Sequence, residues 1–396
     1  KTVKKVKGQM SESLVLGLLL ALAGGFFDAY TYLCRGGVFA NAETGNIVLL
    51  GAHLAEGDWE KALRYLLPIV AFAFGVLSAE LVKRRFKSRQ NRDINIHWRQ
   101  IVVLGEMVLV TIAALLPQRR AQSNKGSYGS VAAAAGSLAY RGAAALCVEG
   151  ALRTGAGLVY LASVEPVIQL VLTRTPECCA LPCRTDADGG ILAADAAAVR
   201  QRFTEKPAVL LAGPGLGPSA ARILNALLTA DAKWKAAVLD ADALNALAAG
   251  ELGQFPLLPT NTVLTPHPGE AARLLGCSVA QIQTDRPAAA QELAERYSCV
   301  AVLKGSGTLI AAPGREMLHN PTGNPGLARG GSGDVLAGML AALLAQGLAP
   351  FDAAACAVWL HGAAADRCAV RTSQLTMLPH DILTDLADVV KELTGR

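Results

Sequence analysis

"AVLLAGPGLGPSAARILNALL", residues Ala208–Leu228, carries the fold class of most of this chain. Its leading apolar run is too short for a helix and stops at the glycine-rich turn Gly213–Gly217. From Ser219 to Leu228 the apolar residues take up helical spacing. A short apolar run bounded by turn residues reads as a buried strand, so the stretch is a strand, a tight loop and a helix. The same unit recurs along the chain. Ser130–Ala135, Leu158–Ala162, Ala208–Ala212, Ala236–Leu239, Thr262–Leu264 and Val300–Leu303 fit strands, and Gly142–Thr154 and Pro268–Leu275 fit further helices. Alternation of this kind predicts an α/β fold, a mainly parallel sheet with helices on both faces.

At roughly 150 residues per domain, a chain of 396 residues makes two or three domains. An apolar fraction of 52% and a mean hydropathy of +0.34 are high for a wholly soluble protein. The excess is local, in the runs Leu14–Leu33, Leu66–Val82 and Ile101–Leu116. A helical span needs about 20 apolar residues, with about 17 as the lower limit. The first run meets that length, the second is borderline, and the third is short and carries Glu106. Much of the net charge of +5 flanks them, at Lys1, Lys4, Lys5 and Lys7 and again between Lys83 and Arg92. Basic residues beside apolar spans mark cytoplasmic loops. A nucleic-acid surface is disfavoured, because no aromatic platform or recognition motif accompanies the charge. The start is too long for a signal peptide and lacks its cleavage site. The polar seam Pro117–Gly129 then divides the chain into a helical membrane segment, residues 1–117, and an α/β domain, residues 118–396. With the amino terminus and Lys83–Arg99 both on the cytoplasmic side, two spans connect them. The expectation is that Ile101–Leu116 does not cross fully, or that a pass such as Asn46–Ala55 compensates, leaving the α/β domain in the cytoplasm. Nine cysteines without a CxxC pair, and without a histidine near Cys178, Cys179 and Cys183, read as free thiols in a reducing compartment.

Ligands of such sheets collect at the carboxyl ends of the strands, and the glycine and carboxylate motifs fall there. They are "GPGLG" (Gly213–Gly217), "DAD" (Asp240–Asp242), "PHPGE" (Pro266–Glu270), "KGSGT" (Lys304–Thr308) and "NPTGNPGLARGGSGDVLAG" (Asn320–Gly338). The last has no Walker lysine and does not fit the dinucleotide GxGxxG. Its Gly330, Gly331 and Gly333 still let the backbone approach an anion, and the N–H groups of a helix start suit one. Asp334 has two readings. As a first-turn acid it opposes the macrodipole, worth about 0.3–1 kcal/mol; beside an anion hole it takes a proton from a hydroxyl attacking a phosphoryl group. A capping acid does not require three glycines in the preceding four positions, which favours the second reading. Lys304 ends a strand that turns back as a hairpin, and faces either solvent or a nucleotide. His267 and Glu270 open a helix, as a turn residue and a first-turn acid, or with Glu270 holding Mg²⁺ or its waters. His361 reads as a packed helix histidine.

From about Leu116 to Arg396 the chain resembles the ADP/ATP-dependent NAD(P)H-hydrate dehydratases, through "KGSYGSV", "GSLAYRGAAAL", "ALRTGAGLVYLA", "GPGLG", "VLDADALNAL", "LTPHPGEAARLLG", "VLKGSGTLI", "NPTGNPGLARGGSGDVLAG" and "WLHGAAADRCA", in order. The resemblance implies a ribokinase-like fold and repair of hydrated nicotinamide cofactors. The S-epimer of NADHX or NADPHX is phosphorylated on its added hydroxyl by ADP (or ATP), and loss of phosphate restores NADH or NADPH, with AMP as the other product from ADP. It further implies Asp334 as the base, with Gly331, Ser332 and Gly333 as the anion hole. Lys304, Gly305, Ser306, Gly307, Thr308 and Gly333 would contact the adenine nucleotide. Ala143, Gly215, His267 and Asp334 would contact the hydrated dinucleotide. Glu270 resembles the acid of the NxxE feature of related sugar kinases, with His267 in the asparagine's place, which implies Mg²⁺ there. A homo-oligomer is expected, since enzymes of this fold often assemble. One departure stands out: Ala135-Gly136-Ser137 replaces the usual Gly-Gly-Ser. The rivals are a small-molecule kinase of the same fold, disfavoured by "HPGE", "RTGAGLV" and "DADALNAL", and a membrane protein whose soluble part is inactive.

"LALAGGFFDAYTYLCRGGVFANAETGNIVLLG" (Leu20–Gly51) resembles the start of the YoaK family, small bacterial inner-membrane proteins of unknown function. That likeness covers about the first 115 residues, so it implies a truncated membrane module fused to a complete enzyme.

Overall fold

Each strand expected from the sequence is a member of one nine-stranded sheet. The computed structural model describes residues 111–252 and 258–394, with scattered helical positions between 47 and 69. The chain divides into two units, Lys1–Val108 and Leu109–Arg396, and the sheet belongs to the second. The run Leu14–Leu33, the stretch Lys83–Arg99, and most of Leu66–Val82, Asn46–Ala55 and Ile101–Leu116 lie outside the described residues. Among the described residues no helix is long and apolar enough to cross a membrane.

The strands are β1 (Ser130–Ala134), β2 (Leu158–Val164), β3 (Cys179–Cys183), β4 (Val209–Ala212), β5 (Ala236–Leu239), β6 (Thr262–Leu264), β7 (Val300–Leu303), β8 (Leu309–Ala311) and β9 (Leu318–His319). They lie in the order β3-β2-β1-β4-β5-β6-β7-β8-β9, parallel as far as β7 and antiparallel beyond. β4, β5 and β7 are buried along their whole length, which is why they read as unbroken apolar runs rather than alternating ones. β3 was not legible: its Pro182 interrupts the pattern, and proline is tolerated because β3 is an edge strand.

The crossovers carry α1 (Arg141–Arg153), α2 (Glu165–Arg174), α3 (Ala196–Gln201), α4 (Ala220–Leu227), α5 (Asp242–Ala248), α6 (Pro268–Leu275), α7 (Val279–Thr284) and α8 (Arg286–Arg296). After β9 come α9 (Ser332–Ala345), α10 (Pro350–Arg371) and α11 (Ile382–Thr394). Helices α3 to α8 and one face of the strands share a continuous apolar core that includes Leu210, Leu224, Leu244, Leu264, Leu293 and Leu303. α1, α9 and α10 form the other layer. α9 is apolar all round because it crosses the middle of the sheet beneath α1 and α10. Its contact with α1 is close. A Cβ on Gly338 would fall 2.0 Å from the Cys147 carbonyl oxygen, and one on Gly150 2.7 Å from that of Val335.

The strand order reverses between β1 and β4, which opens a crevice at their carboxyl ends. Ala135 follows β1 without a positive φ, and of the three turn residues only Gly136 takes one, at 80°. The Ala135 departure therefore leaves the turn intact, with the Gly136 N–H donating to the Pro214 carbonyl at 2.8 Å.

Candidate active site

The loops after β1 and β4 meet at this crevice. Gly215 has φ 63°, and a Cβ there would lie 2.7 Å from the Tyr140 carbonyl oxygen and 2.9 Å from the Ala143 Cβ. Ala143 and Gly215, separated by the whole β2–β3 region in sequence, are thus neighbours across one turn. The Gly217 N–H donates to Asp242 Oδ2 at 2.8 Å, tying this loop to the start of α5.

Two residues before Asp242, immediately after β5, stands Asp240, 1% exposed. Its backbone carbonyl fills the space a Gly213 side chain would need, since a Cβ there would come within 1.8 Å of the oxygen. The next residue, Ala241, is held at φ 48° and ψ −116°, a conformation that a non-glycine residue adopts only where its surroundings enforce it. Asp240 accepts a hydrogen bond from Lys304 Nζ at 2.6 Å, and the same ammonium lies 3.8 Å from Glu270 Oε2. The Lys304 backbone N–H donates to the Pro266 carbonyl, so the ends of β6 and β7 are held together.

Glu270 and His267 form a reciprocal cap at the start of α6. The His267 N–H donates to Glu270 Oε2 at 2.7 Å, while His267 Nδ1 accepts from the Gly269 N–H at 3.0 Å. Burial pushes the Glu270 carboxyl up to about 7, against the lowering by Lys304 and with a further rise from Asp240. Partial burial, then Lys304 and Arg273, hold the His267 imidazole below its usual range.

The glycine loop delivers α9 into this cluster. Gly331 is its N-cap, at φ 100°, and no side chain caps the helix; the Ser332 N–H donates to the Arg329 carbonyl at 3.3 Å, and the N–H groups on either side of it are left for an anion. Gly331 abuts Leu146 of α1, whose Cδ1 would be 2.6 Å from a Cβ there, so the anion site borders the helix that carries Ala143. The loop is pinned from α10: Asp366 accepts from the Gly323 N–H at 2.8 Å and from Asn324 Nδ2 at 2.9 Å, and Gly362 leaves room for Thr322. Burial, then the charge of Asp240, push the Asp334 carboxyl up to about 7, with Lys304 acting in the opposite sense. For Lys304 burial works against the charge, but Asp240 and Glu270 prevail and its pKa is raised.

Gly333 is the glycine that faces the ammonium itself. A Cβ would stand 3.2 Å from Lys304 Nζ and 3.4 Å from Asp240 Oδ2. Alanine at this helical position adds about 0.5–1 kcal/mol of backbone stability but displaces the ammonium. Gly333→Ala is therefore expected to keep the parent's melting temperature and lose on the order of ten- to a hundredfold in turnover, as small misplacements of reacting groups do. Parent-level turnover would show that the Lys304 position does not matter.

His267, Glu270, Lys304, Gly333 and Asp334 are thus brought together around one ammonium. Ala143 and Gly215 lie at the crevice beside Asp242, and Gly305, Ser306, Gly307 and Thr308 extend outward along the hairpin between β7 and β8. Ser332 is buried, with a hydroxyl that has no partner. His361 is buried in α10 against the Ser332 backbone, and burial pushes its imidazole down to about 4. Asp240 carries more of the site than its sequence reading gave it. The available signal was an acid immediately after a buried strand.

A family model described as NAD(P)H-hydrate dehydratase matches residues 131–387. A second, for proteins of unknown function (DUF1275), matches residues 16–163 and so runs past the expected limit of about 115 into β1, α1 and β2. The bifunctional NAD(P)H-hydrate repair enzyme of Moorella thermoacetica is 42% identical over 287 residues, 70% of this chain and 52% of that protein. This chain spans about half the length of the bifunctional relatives it matches. The ADP-dependent (S)-NAD(P)H-hydrate dehydratase of Bacillus subtilis is 37% identical over 282 residues, 71% of this chain and 95% of that protein. The crystal structure of an ADP/ATP-dependent NAD(P)H-hydrate dehydratase from Bacillus subtilis, co-crystallised with ATP and Mg²⁺, superposes with a TM-score of 0.59 at 35% identity, covering 71% of this chain and 96% of that one. The sheet order, the glycine-capped α9 and these matches lead to one assignment: the chain belongs to the NAD(P)H-hydrate dehydratase family.

Proposed function

We propose that this chain dehydrates the S-epimer of NAD(P)HX at the expense of ADP. The observation that carries the reading is Asp334 at the open start of α9, with Gly333 seated against the Lys304 ammonium. Asp334 takes the proton of the added hydroxyl as its oxygen attacks the terminal phosphorus. The bond to the bridging oxygen breaks and AMP leaves. The phosphorylated carbon then loses inorganic phosphate and its neighbour a proton, which restores the dihydronicotinamide double bond. Gly331, Ser332 and Gly333 line the transferring phosphoryl group, Gly331 and Gly333 with free N–H groups, and charge developing on its oxygens is stabilised most by donors already in place. The crevice at Ala143 and Gly215, with His267 at its rim, takes the hydrated dinucleotide, and Lys304–Thr308 takes the adenine nucleotide.

Among the described residues no group of three or more His, Cys, Asp or Glu side chains is placed to hold a metal. Glu270 Oε2 faces the His267 N–H and Lys304, and Oε1 lies 3.4 Å from His267 Nε2. These oxygens suit a metal-bound water rather than direct ligation, the arrangement in which Mg²⁺ arrives on nucleotide phosphates. When bound, it neutralises phosphate charge.

The test supplies the full chain with NADHX and either ADP or ATP and follows the return of dihydronicotinamide absorbance. Recovery with ADP supports the reading, and recovery with ATP alone would change the co-substrate. Nucleotide-dependent phosphorylation of another small alcohol, with NADHX untouched, would replace it by a kinase of the same fold.

A further inference from the structure

Arg286 was not legible as a functional residue, and the structure gives it an unusual set of partners. It is the first residue of α8, and its position is set by Asp285, whose side chain caps that helix by accepting the Ala288 N–H at 3.0 Å. From there the guanidinium lies against the hairpin loop that begins at Lys304. Nη1 donates to the Ser306 carbonyl at 2.6 Å, and Nη2 to those of Leu303 and Lys304 at 3.2 and 3.4 Å. Gly305, at φ 146°, permits the approach: a Cβ there would be 2.8 Å from Nη2. The Nε atom is buried without a partner, and burial lowers the Arg286 pKa.

We infer that Arg286 is a positioning residue for nucleotide binding, an inference that rests on reading Lys304–Thr308 as the nucleotide loop. One cation gathers the carbonyl oxygens of one turn, on the side of the loop facing α8. Gly305 and Ser306 keep exposed surface beyond these contacts, and that surface is left for the ligand. The Thr308 hydroxyl, donating to the Gly305 carbonyl at 3.1 Å, closes the same turn. A loop of glycines has many accessible conformations and loses much entropy on ordering. A guanidinium fork that orders it beforehand lowers the cost of binding, the general effect of preorganisation. The same fork bonds the carbonyl of Lys304 itself, so it also fixes the strand end from which Lys304 reaches Asp240.

The test compares the full chain with Arg286→Ala and Arg286→Lys, measuring KM for ADP, KM for NADHX, kcat and melting temperature. The expected result for Arg286→Ala is a KM for ADP raised about tenfold or more, with KM for NADHX within about twofold, the split that marks loss of binding to one substrate. Arg286→Lys should fall between, because an ammonium lacks the planar fork; it carries the same comparison where Arg286→Ala fails to fold. Parallel rises in both KM values, or a lower melting temperature with KM for ADP unchanged, would overturn the proposal and leave Arg286 a structural residue. Gly305→Ala separates the two layers of the argument. If it raises KM for ADP while both Arg286 variants do not, the loop reading stands and Arg286 fails. If it leaves KM for ADP unchanged, the loop reading fails and takes the inference with it.

Discussion

The Asp334→Asn variant is expected to lose on the order of 10²–10⁴-fold in kcat, the usual scale of a general base, with both KM values close to the parent's. Asparagine keeps the shape and cannot take the proton. Since burial and Asp240 push the Asp334 carboxyl of the free protein up to about 7, the parent's kcat/KM should fall about tenfold per pH unit below that value and level off above it. Glu270 is pushed to the same range, so any limb remaining in Asp334→Asn belongs to Glu270. Stability moves the other way. A carboxyl whose folded pKa is raised above its unfolded value favours folding most when protonated, and that contribution is lost as pH rises through about 7. The variant should therefore gain melting temperature over the parent at about pH 8 and lose that advantage step by step as pH falls from about 7 into the ordinary carboxylate range. A residue kept for the helix dipole alone would give the opposite pair: unchanged turnover and a lower melting temperature at high pH. Thermal melts and pH–rate profiles of the two proteins decide between them.

How much of this was legible depended on what each residue's environment leaves in the local pattern. Buried parallel strands leave continuous apolar runs, so β4 to β7 were placed within a residue of their ends. β3 leaves a broken one because an edge strand tolerates Pro182. The positions of Gly333, Asp334, Lys304 and Glu270 along one sheet edge followed from strand ends preceding loops. Their pairing did not, because the 2.6 Å contact of Lys304 with Asp240 joins residues on strands separated by β6. The acidic "DAD" was visible, yet nothing local says that its first member is buried and bonded to a lysine while its last caps the Gly217 loop. Arg286 was silent for a similar reason: its three carbonyl partners have no sequence signature at all.

Lys304→Met is expected to have the largest combined effect, because the ammonium both faces the reacting groups and balances Asp240 and Glu270, which are 1% and 5% exposed. Removing one partner of a buried pair costs about 3–5 kcal/mol. Lys304 keeps an exposed edge, its side chain 18% accessible, so a loss of about 3 kcal/mol is the better figure. In a domain of this size that is a drop of roughly 6–12 °C in melting temperature. The loss should grow with pH, since without Lys304 the Glu270 carboxyl must ionise against burial and beside Asp240. Adding Asp240→Asn removes the stranded charge and should return most of the melting temperature. It should not return activity, because the cation beside Gly333 is still missing. That separation of stability from turnover is the informative result. If Lys304→Met melted like the parent, the pair with Asp240 would contribute nothing to the fold, and Lys304 would be held there for its ligand alone. If the double variant regained turnover as well, the ammonium would be a structural counter-charge and the catalytic role would pass to Asp334 and the α9 N–H groups unaided.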